Sequence, residues 1–331
     1  MPVRDAGATL ERALASVLES SARDLELICV DDGSKDDSPG ILRTCAARDA
    51  RVRVLTQPPG GIVAALNAGL GAARAPLVAR MDADDEMHPE RLARQAERLE
   101  QEPDLALVGC LVESFREGGL GEGYRLYTEW VNGLVSEAAI RREAMIECPI
   151  PHPTWTFRRA HVRAIGGYRE RGWPEDLDLL YRILAAGHRV AKVPQVLHRW
   201  RDHSERLSRV DPRYGREAFA RAKAHFVGRV HPMQGAVVWG AGRTGKRFVR
   251  LLAGEGIATR ALIDVKPARI GTTWRGIPIL SPERVADDAA HWREQGLCVL
   301  SAVASRGARS EIREQLVDAG LCEGEHFLMV A

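Results

Sequence analysis

Apolar and polar positions alternate with two different periods along the first 90 residues. Leu10, Ala13, Leu14, Val17 and Leu18 recur at the i, i+3, i+4 spacing of a helix with one hidden face, over 9–21. The run L-E-L-I-C-V over 25–30 predicts a strand, which breaks off at Asp31-Asp32-Gly33-Ser34. A helix over 37–49, a strand over 52–55, a helix over 62–73 after Gly60-Gly61 and a strand over 77–81 continue the pattern. Strands separated by helices of this length mean βαβ units and a parallel sheet. The last of these strands stops at Asp82, Asp84 and Asp85, and Pro89 then opens a helix with Leu92, Ala96 and Leu99 on one face.

Downstream, 105–111 predicts a strand, 118–123 a Gly-rich loop and 132–145 a helix. The stiff stretch 149–154, rich in proline, introduces a strand over 155–158. A helix over 213–230 ends at His231-Pro232, where the pattern changes in kind. The strand 235–239 runs directly into G-A-G-R-T-G-K (240–246) and a helix to about 254, and a second strand ends in Asp264. This is a dinucleotide fingerprint in its proper context. Gly240, Gly242 and Gly245 would let the backbone approach a phosphate at a helix N-terminus, and Asp264 would accept from ribose hydroxyls. A strand over 297–302 and a helix over 308–319 complete only half of a dinucleotide domain. A bound nucleotide or nucleotide-sugar, NAD(P), or a packing role all stay open for it.

Length and composition narrow the class. With 331 residues the chain has room for two cores, and the expected division is 1–211, a helical linker over 212–234, and 235–331. A net charge of +2 with 28% charged residues points to no nucleic-acid partner. The six cysteines are scattered without a C-x-x-C and several lie in apolar runs, as expected of reduced, buried thiols in a cytoplasmic protein. No 18-residue apolar segment predicts a membrane span. Attachment at the inner face of the membrane and a homodimer stay open.

The acids carry the candidate chemistry. In an open α/β sheet, ligands bind at the carboxyl ends of strands. Three carboxylates crowded there repel one another unless a hard divalent cation such as Mg²⁺ or Mn²⁺ lies between them; the alternative is an acidic turn capping the following helix. Asp31-Asp32-Gly33-Ser34 occupies the same kind of edge, either as an Asx-type turn or as acceptors for a base or ribose.

Four blocks, E-L-I-C-V-D-D-G-S-K-D (26–36), A-L-N-A-G-L (65–70), V-A-R-M-D-A-D-D (78–85) and W-P-E-D-L-D-L-L-Y-R-I-L (173–184), resemble in order and spacing the family 2 glycosyltransferases of the GT-A fold. The resemblance covers roughly 2–207. It implies an α/β fold: a GT-A nucleotide-sugar-binding domain with a mostly parallel central sheet, followed by the small Rossmann-like domain. Asp32 would contact the base of a nucleotide-sugar donor, usually a UDP-sugar, with Asp31 and Arg80 beside the donor. Asp84 would hold the metal, Mn²⁺ or Mg²⁺, with Asp82 near ribose and metal. Asp176 would be the catalytic base, with neighbouring Glu175 the carboxylate that could be mistaken for it. His152, Thr154 and Trp173 would lie on the acceptor side, and Arg201 and His203 would reach the diphosphate, His203 also as a metal ligand. The acceptor would be a glycan or lipid-linked hydroxyl in surface-polysaccharide biosynthesis.

Two departures from the family pattern matter. The apolar strand that normally opens such a chain is absent, with only Pro2-Val3-Arg4-Asp5 matching its tail, so the neighbouring ladder should be left bare unless another segment fills the slot. Arg4 stands where an aromatic often lies against the base, which leaves the base preference open. Competing classes are a nucleotidyltransferase, which should carry a Gly-rich basic loop within residues 1–12 and does not, and a non-catalytic nucleotide-sugar sensor.

Overall fold

The βαβ alternation at the start of the chain folds as its periods require. In the computed structural model, which describes residues 1–305 and 307–331, the first elements are β1 (Pro2–Val3), α1 (Leu10–Leu18), β2 (Leu27–Asp31), α2 (Ser38–Arg48), β3 (Val52–Thr56) and α3 (Gly61–Ala72). They form a parallel sheet of order β1-β2-β3. β2 is buried along its whole length, which is why it reads as an unbroken apolar run rather than an alternating one. α1 turns Leu10, Ala13, Leu14 and Val17 into the core.

The slot expected to be empty is filled by residues 1–3 themselves. The Met1 ammonium donates to Ile28 O, Val30 N–H to Met1 O and Asp32 N–H to Val3 O. The backbone groups on that side of β2 are thereby satisfied, and β1 lies at the edge of this sheet rather than at its centre.

The next elements are β4 (Leu77–Ala79), β5 (Glu86–Met87), α4 (Arg91–Gln101), β6 (Leu105–Phe115), α5 (Glu122–Gly133), α6 (Glu137–Glu143), β7 (Thr156–Arg158), α7 (Arg159–Ala164), α8 (Glu175–Ala185), β8 (Arg189–Arg201) and α9 (Leu207–Val210). Their sheet has the order β4-β7-β6-β8-β5. Only β6 and β8 run parallel in it; the other three pairings are antiparallel. The parallel arrangement expected of the first domain is found in β1-β2-β3, while this second sheet is mixed, because β7 follows β6 through a long excursion and returns alongside it in the opposite sense. α5 begins inside the expected Gly-rich loop, and the helix expected over 132–145 is divided between α5 and α6.

The chain divides into two compact units, Met1–Ile140 with Pro149–Asp211, and Arg141–Cys148 with Pro212–Ala331. The second contains α10 (Arg216–Val230), β9 (Gly235–Trp239), α11 (Arg243–Gly254), β10 (Thr259–Ile263), β11 (Thr273–Trp274), β12 (Ile277–Leu280), α12 (Arg284–Glu294), β13 (Leu297–Ser301), α13 (Ala308–Asp318) and β14 (Phe327–Met329). Its sheet, β11-β12-β10-β9-β13-β14, is parallel except for the β11–β12 pair. Residues expected to form a linker instead join this unit as α10, where buried Lys223 donates from Nζ to Ile146 O and Val330 O. The third glycine of the fingerprint is a packing requirement. A Cβ on Gly245 would stand 1.6 Å from Gly240 O, so only glycine lets α11 approach the end of β9 so closely.

None of the six cysteines forms a disulfide; four are buried, as expected of those in apolar runs, while Cys45 is half-buried and Cys322 is exposed. Among the described residues, no helix is long and apolar enough to cross a membrane.

Candidate functional site

At the carboxyl end of β4, one carboxylate oxygen from each of Asp82, Asp84 and Asp85 can lie within 4.8 Å of the others. Each acid has a different counter-group. Asp82 pairs with buried Arg80, whose charge the Asp82 carboxylate sustains against the cost of burial. Asp84 Oδ2 lies 3.1 Å from His203 Nε2; burial would raise its carboxyl, but the His203 hydrogen bond and the charges of Arg206 and His203 hold it below the usual range. Asp85 is fully buried, with Oδ1 accepting from Arg201 N–H at 2.8 Å and Oδ2 2.9 Å from His198 Nε2. Burial, and then the charges of Asp84 and Asp82, push Asp85 well above the ordinary carboxylate range.

Three carboxylate oxygens at this spacing are hard donors of the kind that suit Mg²⁺ or Mn²⁺. Of the residues expected as metal ligands, Asp82 and Asp84 belong to this cluster and His203 stands against Asp84. Asp85 does not act as an open ligand: it ties the end of β8 to the acidic loop.

Arg201 departs from expectation. Its Nε donates to Asp84 O at 3.0 Å, its Nη1 lies 3.5 Å from Glu117, and its guanidinium covers the Phe115 ring at 4.5 Å. It is buried and committed to the loop, so it does not reach toward a diphosphate. A further cation whose charge is felt by the acids is Arg206, which the sequence pattern passed over. Its guanidinium lies 4.6 Å above the Trp200 ring and donates to Tyr124 OH. Burial disfavours its charge, while Tyr124 and then the three acids favour it more strongly. A second arginine five residues after Arg201 was the only available signal.

Across the unit, α8 starts at Glu175 after Pro174, and neighbouring helical side chains diverge by about 100°. Glu175 is buried, with Oε1 3.8 Å from His152 Nδ1. Asp176 is half-buried, and its Oδ1 accepts from Leu177 N–H at 2.7 Å. His152 is buried against Trp155 and Tyr168, its Nε2 2.9 Å from Tyr168 OH. Thr154 is fully buried and donates to Pro151 O. His152 therefore lies behind Glu175 and Thr154 is enclosed in the proline turn, so neither is exposed as an acceptor-facing surface. Half-buried Trp173 donates to Asp178 Oδ1 at 3.0 Å, fastening the approach to α8.

At the ends of β1–β3, Asp31 Oδ1 accepts from Ser34 N–H at 3.1 Å in an Asx-type turn, and Asp32 lies beneath Arg4. In the second unit, Asp264 accepts from Ala241 N–H at 3.0 Å, Lys266 N–H at 2.9 Å and Arg269 Nη1 at 2.7 Å. The carboxylate expected to receive ribose hydroxyls instead pins the loop of Gly240 and Gly242 to the end of β10.

The family described as Glycosyl transferase family 2 matches residues 1–166. The chain is 33% identical over 204 residues to the amylovoran biosynthesis glycosyltransferase AmsE of Erwinia amylovora, covering 60% of this chain and 73% of that one. It is 30% identical over 206 residues to the putative glycosyltransferase EpsE of Bacillus subtilis, covering 61% and 71%. Among solved structures, TarS 1–349 of S. aureus in complex with UDP-GlcNAc superposes with a TM-score of 0.52 at 14% identity, over 77% of this chain and 69% of that one, a likeness of fold.

Proposed function

The chain belongs to glycosyl transferase family 2 and is a glycosyltransferase; from that premise we propose inverting transfer of a sugar from a nucleotide-sugar, UDP-linked by preference, to an acceptor hydroxyl in surface-polysaccharide biosynthesis. The observation that carries this reading is the cluster of Asp82, Asp84 and Asp85 just beyond a strand end, with His203 against Asp84. The nucleotide lies along the carboxyl ends of β1–β3. Asp82, Asp84 and His203 would hold a divalent cation, which would supply positive charge against the departing diphosphate. Arg206, stiffened by the Trp200 ring, adds a fixed positive charge on the same side.

Asp176 takes the proton of the acceptor hydroxyl, since of the two adjacent acids it is the one with solvent access. Glu175 and His152 brace the start of α8 from behind. Family membership sets aside the nucleotidyltransferase alternative, and the retained carboxylates favour catalysis over a sensor.

Donor hydrolysis and transfer across a nucleotide-sugar panel, with and without Mn²⁺, test the reading. Asp176→Asn should keep donor binding by calorimetry while turnover falls roughly 10²–10⁴-fold. If Glu175→Gln is the more damaging change, the base is assigned to the wrong carboxylate.

A further inference from the structure

The carboxylate expected to read the donor's base is already spent within its own chain. Asp32 Oδ1 accepts from Gln57 Nε2 and Gly60 N–H, each at 2.7 Å. Its Oδ2 accepts from Gly61 N–H at 2.8 Å and Arg4 Nη1 at 3.3 Å. A carboxylate offers about four lone-pair directions, so the set is complete. The side chain is 4% exposed, which leaves no further approach. Two of these donors are backbone N–H groups at the start of α3, which have no helical partner of their own and depend on Asp32 for one. Burial would raise this carboxyl, yet the Gly60, Gln57, Gly61 and Arg4 donors bring it below the usual range.

Arg4 is the opposite case. It follows directly on β1, its side chain is 51% exposed, and the single long contact to Asp32 is its only hydrogen bond among the described residues. The other N–H groups of its fork remain for a ligand. Gln57 is fixed by giving its NH₂ to Asp32, which sets the direction of Oε1 as an acceptor nearby. The three residues sit just beyond the carboxyl ends of β1, β2 and β3, where an open parallel sheet receives its ligand.

We infer that Arg4 is the specificity-determining contact to the nucleobase, donating to a carbonyl or ring-nitrogen acceptor on the base, and that Asp32 is a positioning residue acting through Arg4 and Gln57. This rests on the nucleotide-sugar reading above. A donor fork responds to where a base carries its acceptors, which a stacking contact, open to every base, does not.

Titration of UDP, GDP, ADP and CDP, each with Mn²⁺, into the full-length chain and into Arg4→Met tests it. Binding of none of the four by the unaltered chain would sink the nucleotide-sugar reading itself. If that reading stands, Arg4→Met should weaken the preferred nucleotide about tenfold or more and bring the four affinities closer together. Inorganic pyrophosphate with Mn²⁺, which carries no base, should bind both proteins equally. In the Arg4→Met background, Asp32→Asn should cause little further loss of base discrimination, with folding checked by thermal melting. Undiminished discrimination in Arg4→Met, or a full additional loss on adding Asp32→Asn, would overturn the inference and return the base contact to Asp32.

Discussion

His152 lies between two prolines, a position that in sequence suits a ligand as well as a turn. In the fold it is a buried ring between Tyr168 and Glu175, and burial, reinforced by the nearby Arg80 charge, holds it well below the ordinary histidine range. The unfolded chain therefore takes up this proton at a higher pH than the folded one. The neutral ring's contribution is fully present above about pH 6.5 and declines as pH falls below it, by about 1.4 kcal/mol per pH unit until the folded ring also titrates. Urea unfolding at pH 7.5 and 5.5 should show wild type losing more stability over that interval than His152→Gln. Equal losses would mean that the ring is protonated in the folded protein. The same residue-scale logic separates Glu175 from Asp176: adjacent, chemically alike, and distinguished only by which way the first turn of α8 points them.

At the scale of the element, α4 shows where periodicity misleads. Its expected core face was Leu92, Ala96 and Leu99, but the residues it buries are Arg91, Gln95 and Leu99. Arg91 donates to Arg80 O and Pro153 O at 2.7 Å and to Gln95 Oε1 at 3.2 Å, and its Nη1 lies 3.1 Å from His198 Nδ1. With Nδ1 accepting from arginine, the neutral His198 ring carries its proton on Nε2 and presents it to Asp85. One buried guanidinium thus joins the acidic loop, the proline turn and the end of β8. Truncation would leave several buried acceptors unsatisfied, so Arg91→Met should cost about 3 kcal/mol or more. Leu92→Ala, at a half-buried site, should cost less. Chemical denaturation of both variants checks the order, and a larger loss for Leu92→Ala would restore the apolar face as the support of this helix.

For the whole molecule, the question is whether one unit or both take up nucleotide. The strand order of the second unit reverses between β9 and β13, the place where doubly wound sheets bind ligands. Yet its fingerprint is accounted for by packing at Gly245 and by Asp264 closing its own loop. Hydrogen–deuterium exchange with UDP and Mn²⁺ should therefore protect the segments 2–7, 31–38, 82–85 and 203–206 and leave 240–246 unchanged. Protection across 240–246 would establish a second nucleotide site there.

The sequence by itself determined what is local. The two periods laid out β2, α1, α3 and the strands that lead to Asp31 and to the acids from Asp82, because burying one face requires regular spacing. The four blocks identified the family, and the glycine spacing identified the strand–turn–helix of the second unit. Only the tertiary structure decided which polar groups are consumed within the protein and which face outward. Asp32 is satisfied partly by Arg4, 28 positions away, Arg91 meets His198 across 107, and Asp84 meets His203 across 119. Arg201 and Arg206 differ in surroundings because one is enclosed by Phe115, Glu117 and the Asp84 carbonyl while the other lies over Trp200 and donates to Tyr124. Spacing along a chain specifies the face a side chain occupies, whereas its partners come from distant segments, and it is those partners that leave a polar group satisfied in place or available to a ligand.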